Sequence, residues 1–556
     1  MGKGLRNTGL VVMILPYLLC CPAVLLAEDG EEKLEAQIIF THGPGGPIRE
    51  SAEFQTEEDP HAFVWITGLR ARPEDKGHAT VSVTMRYHDP SGKLLNESTF
   101  IDNLYWELLG PGVEAVYINL KLEGNNFSEE AYELSVELEH TETGKRVTTS
   151  RKLWTKPVKD LSIIQYQFAL ASDPTFAPGM FLQAGRDHLL ILQLLNMMVK
   201  DNKVRLRVST LACDKHGNPY HAEAKTQEVD MALAAKEGEY PIGRIEIPFT
   251  PNRAGEQILR VTVEDLNSGE KTTRDIPCPV ISVFDDTEKP VPSPPRGLLS
   301  IDMCLTRGEF GTPRPNNIYY ANDTIHSQVR IAGLTTNAKG EGEVDFRATL
   351  TDEAGAVIYD LEQPTLSHSH LHGKDVLEMS LFQTTNLPKT MAGPVTWALQ
   401  FTDRVSGATG FVSQQLVVNP DQDLHTTGHC FYLGENSNVP AGSLLQVGRP
   451  YHLSATVCGS ERKNSTHSIE AKLVGVDLRG NRLSDYEVNL SRKVAVSRYT
   501  EPVKSLSLKQ AFRLNRSGQF ALRLIVTDKH SGQVSIEDIP ITVVGHGPND
   551  PVEKSR

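Results

Sequence analysis

Several features that would identify a common class of protein are scarce or missing in this 556-residue chain. It has only 7 cysteines and 4 tryptophans, its formal net charge is −14, and it contains no long lysine- and arginine-rich run. An acidic chain without a basic face is unsuited to nucleic acid, because phosphate contacts need positive charge. No CxxC pair occurs, which argues against a zinc site built from cysteines. The motifs GxSxG, HExxH and GxxxxGKS/T are missing, as is a GxGxxG after a strand, so the sequence predicts no enzyme, no catalytic residue and no cofactor.

The one long apolar run lies at the amino terminus. A short basic segment precedes an almost wholly apolar stretch from Leu10 to Ala27, and acids begin at Glu28. This order predicts a secretory signal peptide over residues 1–27, with cleavage after Ala23 or Ala27. Since no other stretch is apolar and long enough to cross a bilayer, we expect no membrane span after signal removal. The expected location is secreted, periplasmic or in the cell envelope.

Two turn motifs recur four times with one internal spacing. The first is Asp followed three residues later by Gly, and it occurs as DPSG, DKHG, DEAG and DLRG beginning at Asp89, Asp214, Asp352 and Asp477. The second is a turn that ends at Gly144, Gly269, Gly407 and Gly532. In both series the copies are separated by 125, 138 and 125 residues. Asp bonds its own backbone and Gly tolerates positive φ, so both motifs suit turns between strands. Repeat 1 departs from the others, with His140 where they have Asp265, Asp403 and Asp528.

Apolar residues alternate with polar ones just before each second turn. This period of two predicts a strand with one face on a core. The four apolar rows are Leu134, Val136 and Leu138; Leu259, Val261 and Val263; Trp397, Leu399 and Phe401; and Leu522, Leu524 and Val526. Each repeat contains about seven such short runs, as expected for an antiparallel β-sandwich.

Repeats 2 and 4 share a further motif, LQAGR at Leu182–Arg186 and LQVGR at Leu445–Arg449, whose glycines are 263 residues apart. The extra residues between repeats 2 and 3 are the proline-rich segment 284–296, which predicts a semi-rigid linker. The expected modules are two pairs, with repeat 1 at 34–157, repeat 2 at 158–283, repeat 3 at 297–421 and repeat 4 at 422–546, followed by a polar tail at 547–556.

This tandem pattern resembles immunoglobulin-like or cadherin-like arrays, and Leu514–Gly532 is similar to modules in uncharacterised exported bacterial proteins. The resemblance covers most of residues 34–546 and implies an all-β fold of four immunoglobulin-like antiparallel β-sandwich modules on an exported chain. It implies no catalytic residue. The leading hypothesis is therefore a non-catalytic structural spacer, adhesion protein or protein-interaction scaffold of the cell envelope. Its partner is an unidentified protein or envelope polymer.

Two ligand sites are alternatives to a purely structural role. In SHSHLHG, alternate residues of a strand would put His368, His370 and His372 on one side, which suits a zinc or copper ion. Acids at Asp285, Asp286 and Glu288 are the clustered carboxylates at a module joint and are the candidate calcium ligands.

The aromatic residues of repeat 1 are the candidate glycan- or ligand-binding surface. Trp65, Trp106 and Trp154 all lie in this repeat. We expect Trp65 in the core, as for Trp397 in repeat 3, and leave Trp106 as either core or exposed.

Five cysteines remain after the signal segment, and this odd number cannot pair completely within one chain. Cys430 and Cys458 are the expected pair, since they lie on the predicted first and second strands of repeat 4. Cys213 and Cys278 are a less suitable pair, because the strand that ends near Asp265 should lie between theirs.

Overall fold

The computed structural model describes most of the chain from residue 33 to residue 544. The described residues are 33–43, 47–49, 51–55, 58–69, 79–104, 108–110, 118–121, 131–172, 181–232, 241–284, 294–314, 316–321, 323–369, 376–388, 391–420, 423–434, 439–442, 444–495 and 505–544. The predicted signal peptide and the polar tail lie outside them.

Within these residues every regular element is a β-strand, and each repeat contributes eight. Repeat 1 has β1 (Glu35–Thr41), β2 (Glu53–Gln55), β3 (His61–Thr67), β4 (Ala79–His88), β5 (Leu94–Leu104), β6 (Ile118–Lys121), β7 (Ala131–His140) and β8 (Arg146–Lys156). Repeat 2 has β9 (Ser162–Leu170), β10 (Leu182–Gln183), β11 (His188–Leu195), β12 (Lys203–Asp214), β13 (Lys225–Ala232), β14 (Gly243–Phe249), β15 (Gly255–Asp265) and β16 (Lys271–Ile281).

The second half of the chain repeats this order. Repeat 3 has β17 (Ser300–Thr306), β18 (Ile318–Tyr320), β19 (Thr324–Ala332), β20 (Glu341–Asp352), β21 (Val357–Ser369), β22 (Val376–Asn386), β23 (Gly393–Asp403) and β24 (Thr409–Asn419). Repeat 4 has β25 (His425–Leu433), β26 (Leu444–Gln446), β27 (Pro450–Cys458), β28 (Thr466–Val476), β29 (Val488–Ala495), β30 (Ser505–Arg513), β31 (Gly518–Asp528) and β32 (Val534–Val544).

All four repeats have one topology, which confirms the predicted fold class. In repeat 1 a three-stranded sheet in the order β1-β3-β6 accompanies a five-stranded sheet in the order β2-β8-β7-β4-β5, and the other repeats match it strand for strand. Neighbouring strands are antiparallel, apart from the short second strand, which runs parallel to the eighth. The predicted apolar rows lie on the seventh strands, and every member is buried in its sandwich. Alternation with period two therefore located the core-facing side of each large sheet.

The first turn joins the fourth and fifth strands and has the predicted chemistry. Oδ1 of Asp214 accepts hydrogen bonds from the backbone N–H groups of His216 and Asn218, at 2.8 and 2.9 Å. Gly217 has a φ of +83°, a conformation that costs a glycine little. Asp477 and Gly480 form the same arrangement in repeat 4.

The second turn does more than reverse the chain. Asp265, Asp403 and Asp528 are completely buried. Each accepts a hydrogen bond from a distant backbone N–H, donated by Met198, Thr335 and Glu461 respectively, at 2.6–2.8 Å. These donors lie in the connection between the third and fourth strands, so the aspartate ties that connection to the turn. Burial of these carboxylates is tolerated because the charge-assisted hydrogen bonds replace the hydrogen bonds that water would make to them.

Candidate functional site

The histidine tract of repeat 3 is only partly within the described residues. His368 lies near the end of β21, opposite Gly342 of β20, and is buried. Burial lowers its pKa to about 4, so the ring is neutral at pH 7. His370 and His372 lie outside the described residues, as do the candidate calcium ligands Asp285, Asp286 and Glu288. Over the part of the chain that the structure describes, no three His, Cys, Asp or Glu side chains cluster in a way that could hold a metal ion.

The tryptophans of repeat 1 do not form one surface. Trp65 is half-buried, but it packs against the apolar cluster of repeat 4 rather than inside its own sandwich, so its expected place in the repeat 1 core was wrong. Trp154 on β8 is 45 % exposed, and Trp106 lies outside the described residues. Trp397 is completely buried in repeat 3, as expected.

The expected disulfide is ruled out by strand register. Cys430 on β25 faces Ser454 and Cys458 on β27 faces His425, so the two cysteines lie on neighbouring strands but several residues apart along them. The five described cysteines form no disulfide. The argument against Cys213 and Cys278 was correct, because β15 separates β12 from β16.

The two modules of each predicted pair meet through equivalent residues. In the first pair His42 stacks on Tyr166, with ring centroids 4.4 Å apart, and Arg274 donates to Nδ1 of His42 at 3.2 Å. In the second pair Arg307 takes the place of His42, and it contacts His429 and Glu537. His429 and Glu537 lie 263 residues after Tyr166 and Arg274. The two junctions thus use the same positions with different side chains.

Each junction is braced by a buried ion pair that covers an aromatic ring. Arg49 bonds Glu58 at 2.8 Å and lies over Phe54, and Arg314 bonds Asp323 at 2.9 Å and lies over Tyr319. Burial lowers the pKa of His42 and of His429 to about 3, and nearby arginines add to the effect. Neutral imidazoles can accept the arginine N–H bonds at these junctions.

Repeats 2 and 4 face each other through equivalent side chains. Gln183 and Gln446, which belong to the two LQxGR motifs, line one cavity of about 30 Å³ together with Leu170, Leu433, Ile281 and Val544. Each residue from repeat 2 has its counterpart 263 positions later in repeat 4. This junction therefore has an approximate twofold relation, as expected where two copies of one surface meet.

Arg186 is the charged residue of this junction, which we call the Arg186 junction. It is 6 % exposed, its guanidinium lies 4.8 Å from the centre of the Phe310 ring, and its Nη2 donates to the carbonyl oxygen of Pro440 at 2.7 Å. The amide of Gln183 donates to the carbonyl oxygen of Phe310 at 3.2 Å, and that of Gln328 donates to the carbonyl oxygen of Ala184 at 3.2 Å. Residues of repeats 2, 3 and 4 thus converge here.

Repeat 4 also contacts repeat 1. Leu108 and Leu109, from the segment after β5, are completely buried in the apolar cluster of repeat 4. Asn515 accepts a hydrogen bond from the N–H of Leu109 and donates one to the carbonyl oxygen of Gly110, both at 2.9 Å. We call residues 108–110 with Asn515 the Asn515 clasp. Sequence reasoning missed it, and it missed Arg186 as a contact residue although LQAGR was recognised as a repeat marker.

Comparison with known proteins identifies no family for this chain. No family model matches it, and no curated protein matches it. Structures of Escherichia coli alpha-2-macroglobulin are similar over most of this chain: the form activated by porcine elastase has 10 % identity and a TM-score of 0.16, covering 92 % of this chain and 44 % of that one. The native conformation has 8 % identity and a TM-score of 0.17, covering 93 % and 40 %. Red sea bream transglutaminase has 9 % identity and a TM-score of 0.16, covering 46 % and 32 %.

This chain thus spans less than half the length of the alpha-2-macroglobulin chains that it matches. Sequence identities and TM-scores this low support no conclusion about activity or partners. The described residues include no helix long and apolar enough to cross a membrane.

Proposed function

We propose that the chain is a non-catalytic exported interaction scaffold, in which four β-sandwich modules are held in fixed relation by buried contacts. The observation that carries this proposal is the Asn515 clasp, which joins the first repeat to the last. A string of spacer modules needs contacts only between sequential neighbours, as at the His42 and Arg307 junctions. Contacts between repeats 1 and 4 and between repeats 2 and 4 would instead keep surfaces on different modules at constant distances.

The energetics of these contacts support a lasting association. Completely burying a leucine side chain contributes about 1.5–3 kcal/mol, so Leu108 and Leu109 together supply several kcal/mol towards the clasp. Asn515 satisfies one donor and one acceptor of the backbone that would otherwise be buried without partners, at a cost of about 1–3 kcal/mol each.

The surface of repeat 1 favours a protein partner over a polymer. β5 is the last strand of its sheet, and Leu94, Leu95, Phe100 and Ile101 on it are exposed. An edge strand with exposed apolar side chains is suited to pairing with another polypeptide. In the alternative of a glycan-binding surface on repeat 1, the exposed Trp154 is the tryptophan that would stack on a sugar.

The scaffold proposal is tested by cutting the full-length mature chain in the linker. A specific protease site replaces residues 286–291, and the cut protein is passed over a gel-filtration column at micromolar concentration. We expect the two halves to elute together, because the Arg186 junction and the Asn515 clasp both join them. The double variant Arg186→Met, Asn515→Leu should separate after cutting.

The matched control is Arg260→Gln with Asn489→Leu, which changes one half-buried arginine and one exposed asparagine of the same two repeats, both away from the contacts between modules. This control should elute like the unaltered cut protein. If the halves of the unaltered protein separate on cutting, the modules are independent and the scaffold proposal is wrong.

A further inference from the structure

Arg186 carries a buried charge that no ion pair neutralises in the part of the chain that the structure describes. Among the described residues no carboxylate lies within salt-bridge distance of its guanidinium, and the one side-chain hydrogen bond it makes goes to the carbonyl oxygen of Pro440. A guanidinium has five N–H donors, and this bond uses one of them, so donors remain for a further ligand. A buried charge without a partner costs several kcal/mol, and proteins normally supply an opposite charge.

The nearest charged groups leave this imbalance in place. Burial lowers the pKa of Arg186 to about 10, Glu309 opposes that shift, and Arg449 adds to it. Arg186 therefore remains a cation at pH 7. Burial raises the pKa of Glu309 and the charge of Arg186 opposes that rise, but the two side chains form no salt bridge. Arg449 is the counterpart of Arg186 in repeat 4, and it increases the positive potential of the junction.

The two equivalent arginines differ in how they are held. Arg449 donates from Nη1 to the side-chain oxygen of Gln446 at 3.3 Å. In repeat 2 the matching glutamine, Gln183, turns its amide to Phe310 of repeat 3 instead. The twofold relation is broken at this point, and Arg186 faces the cavity between the two repeats.

That cavity has the size and lining for a small anion. Its volume is about 30 Å³, and Arg186, Gln183, His188 and Gln446 line it together with apolar side chains. A cavity of roughly 10–15 Å³ on this measure already holds a water molecule, so the space admits a single halide-sized ion. Gly442 allows the backbone of repeat 4 to approach Gln183 closely, since a Cβ at this position would lie 2.6 Å from Oε1 of Gln183.

We infer that the Arg186 junction is a binding site for a monovalent, chloride-sized anion, which neutralises Arg186 and strengthens the contact between repeats 2 and 4. The apolar side chains of Leu170, Leu433 and Val544 lower the local polarity and so strengthen the attraction between the ion and the guanidinium. The ion acts as a structural ligand that favours the assembled modules.

The first test is thermal unfolding of the mature protein in sodium chloride, with sodium gluconate added to keep ionic strength constant. A ligand of the folded state raises the unfolding midpoint with concentration, and the folded-state site saturates. We expect this rise in the unaltered protein and its loss in Arg186→Gln. The control Arg260→Gln changes a half-buried arginine of the same repeat that is ion-paired with Asp275, and it should keep the rise. Equal midpoints in chloride and gluconate for the unaltered protein would refute the site.

A second measurement uses the unaltered protein and so does not depend on whether a variant folds. Crystals of the unaltered protein soaked in sodium bromide should show an anomalous peak within hydrogen-bond distance of the Arg186 guanidinium. Bromide peaks confined to the protein surface would overturn the inference. The linker-cleavage test can still succeed if the ion site is refuted, because the Asn515 clasp joins the halves without the ion.

Discussion

Oδ1 of Asn515 in repeat 4 accepts a 2.9 Å hydrogen bond from the backbone N–H of Leu109 in repeat 1, across 406 positions of sequence. The same asparagine donates to the carbonyl oxygen of Gly110 at 2.9 Å. Asn515 is completely buried, so both bonds replace interactions with water. One side chain thus satisfies two backbone hydrogen-bonding groups in a segment that repeat 1 inserts into another module.

Replacing Asn515 with leucine should weaken the clasp while nearly preserving side-chain volume. The N–H of Leu109 and the carbonyl oxygen of Gly110 would lose their partners, each at a cost of about 1–3 kcal/mol. Urea unfolding followed by fluorescence should show a lower midpoint than in the exposed-site control Asn489→Leu. An unchanged midpoint would mean that the clasp adds nothing to stability.

Gly475→Ala should block the clasp from the opposite side. A Cβ at Gly475 on β28 would lie 2.0 Å from the carbonyl oxygen of Leu108, which is far inside contact distance. The equivalent position of repeat 2 is Ala212, which is buried in an intact sandwich, so the module itself accommodates alanine there. The expected result is faster hydrogen exchange at Leu109 without unfolding of repeat 4. Ser413→Ala, at an exposed position of β24, is the control, and equal protection of Leu109 in both variants would contradict the contact.

Acid should weaken the junction between repeats 3 and 4 through His429. Its pKa falls from an ordinary 6.5 to about 3 in the folded protein, chiefly through burial and then through Arg307. Between these values the unfolded chain binds a proton that the folded chain does not, so stability is lost as pH falls below 6.5. From pH 6.5 to 5 this one group should cost about 2 kcal/mol.

His429→Gln should reduce that pH dependence, and the exposed-site control His216→Gln should not. Glu58, whose pKa burial raises to about 6, acts in the opposite direction, because its stabilising effect is lost as pH rises through 4.5 to 6. This contribution is common to all three proteins and cancels when their urea midpoints at pH 5 and 6.5 are compared. Identical slopes for the unaltered protein and His429→Gln would show that His429 is not held neutral.

The tract of His368, His370 and His372 predicts binding of one zinc ion. At pH 7 His368 is neutral, so one of its ring nitrogens carries no proton and has a lone pair for a metal ion. After equilibrium dialysis against micromolar zinc, the mature protein should retain one equivalent, and the triple alanine variant should retain none. His216→Ala is the control on an exposed histidine. Equal zinc content in the unaltered and triple-variant proteins would remove the tract as a metal site.

The second turn illustrates what sequence patterns predicted about the fold and what they missed. The spacing located Asp265, Asp403 and Asp528 at turns, where the structure places them. Their burial and their bonds to Met198, Thr335 and Glu461 were not predictable, because the donors lie about 67 residues away in the chain. In repeat 1, where His140 replaces the aspartate, the carboxylate of Glu142 accepts a bond from the N–H of Thr80 at 3.1 Å.

The sequence by itself determined the number of modules, the positions of their turns and the side of each large sheet that faces the core. It could do so because strand alternation and turn chemistry are local properties, repeated with constant spacing. Only the tertiary structure decided which modules touch. The partners of Leu109, Arg186 and Trp65 belong to other repeats, and a buried contact between modules leaves no periodic signal in either segment. Within repeat 4, the pairing of Cys430 with Cys458 failed because strand register depends on contacts that neither residue's neighbours in the sequence reveal.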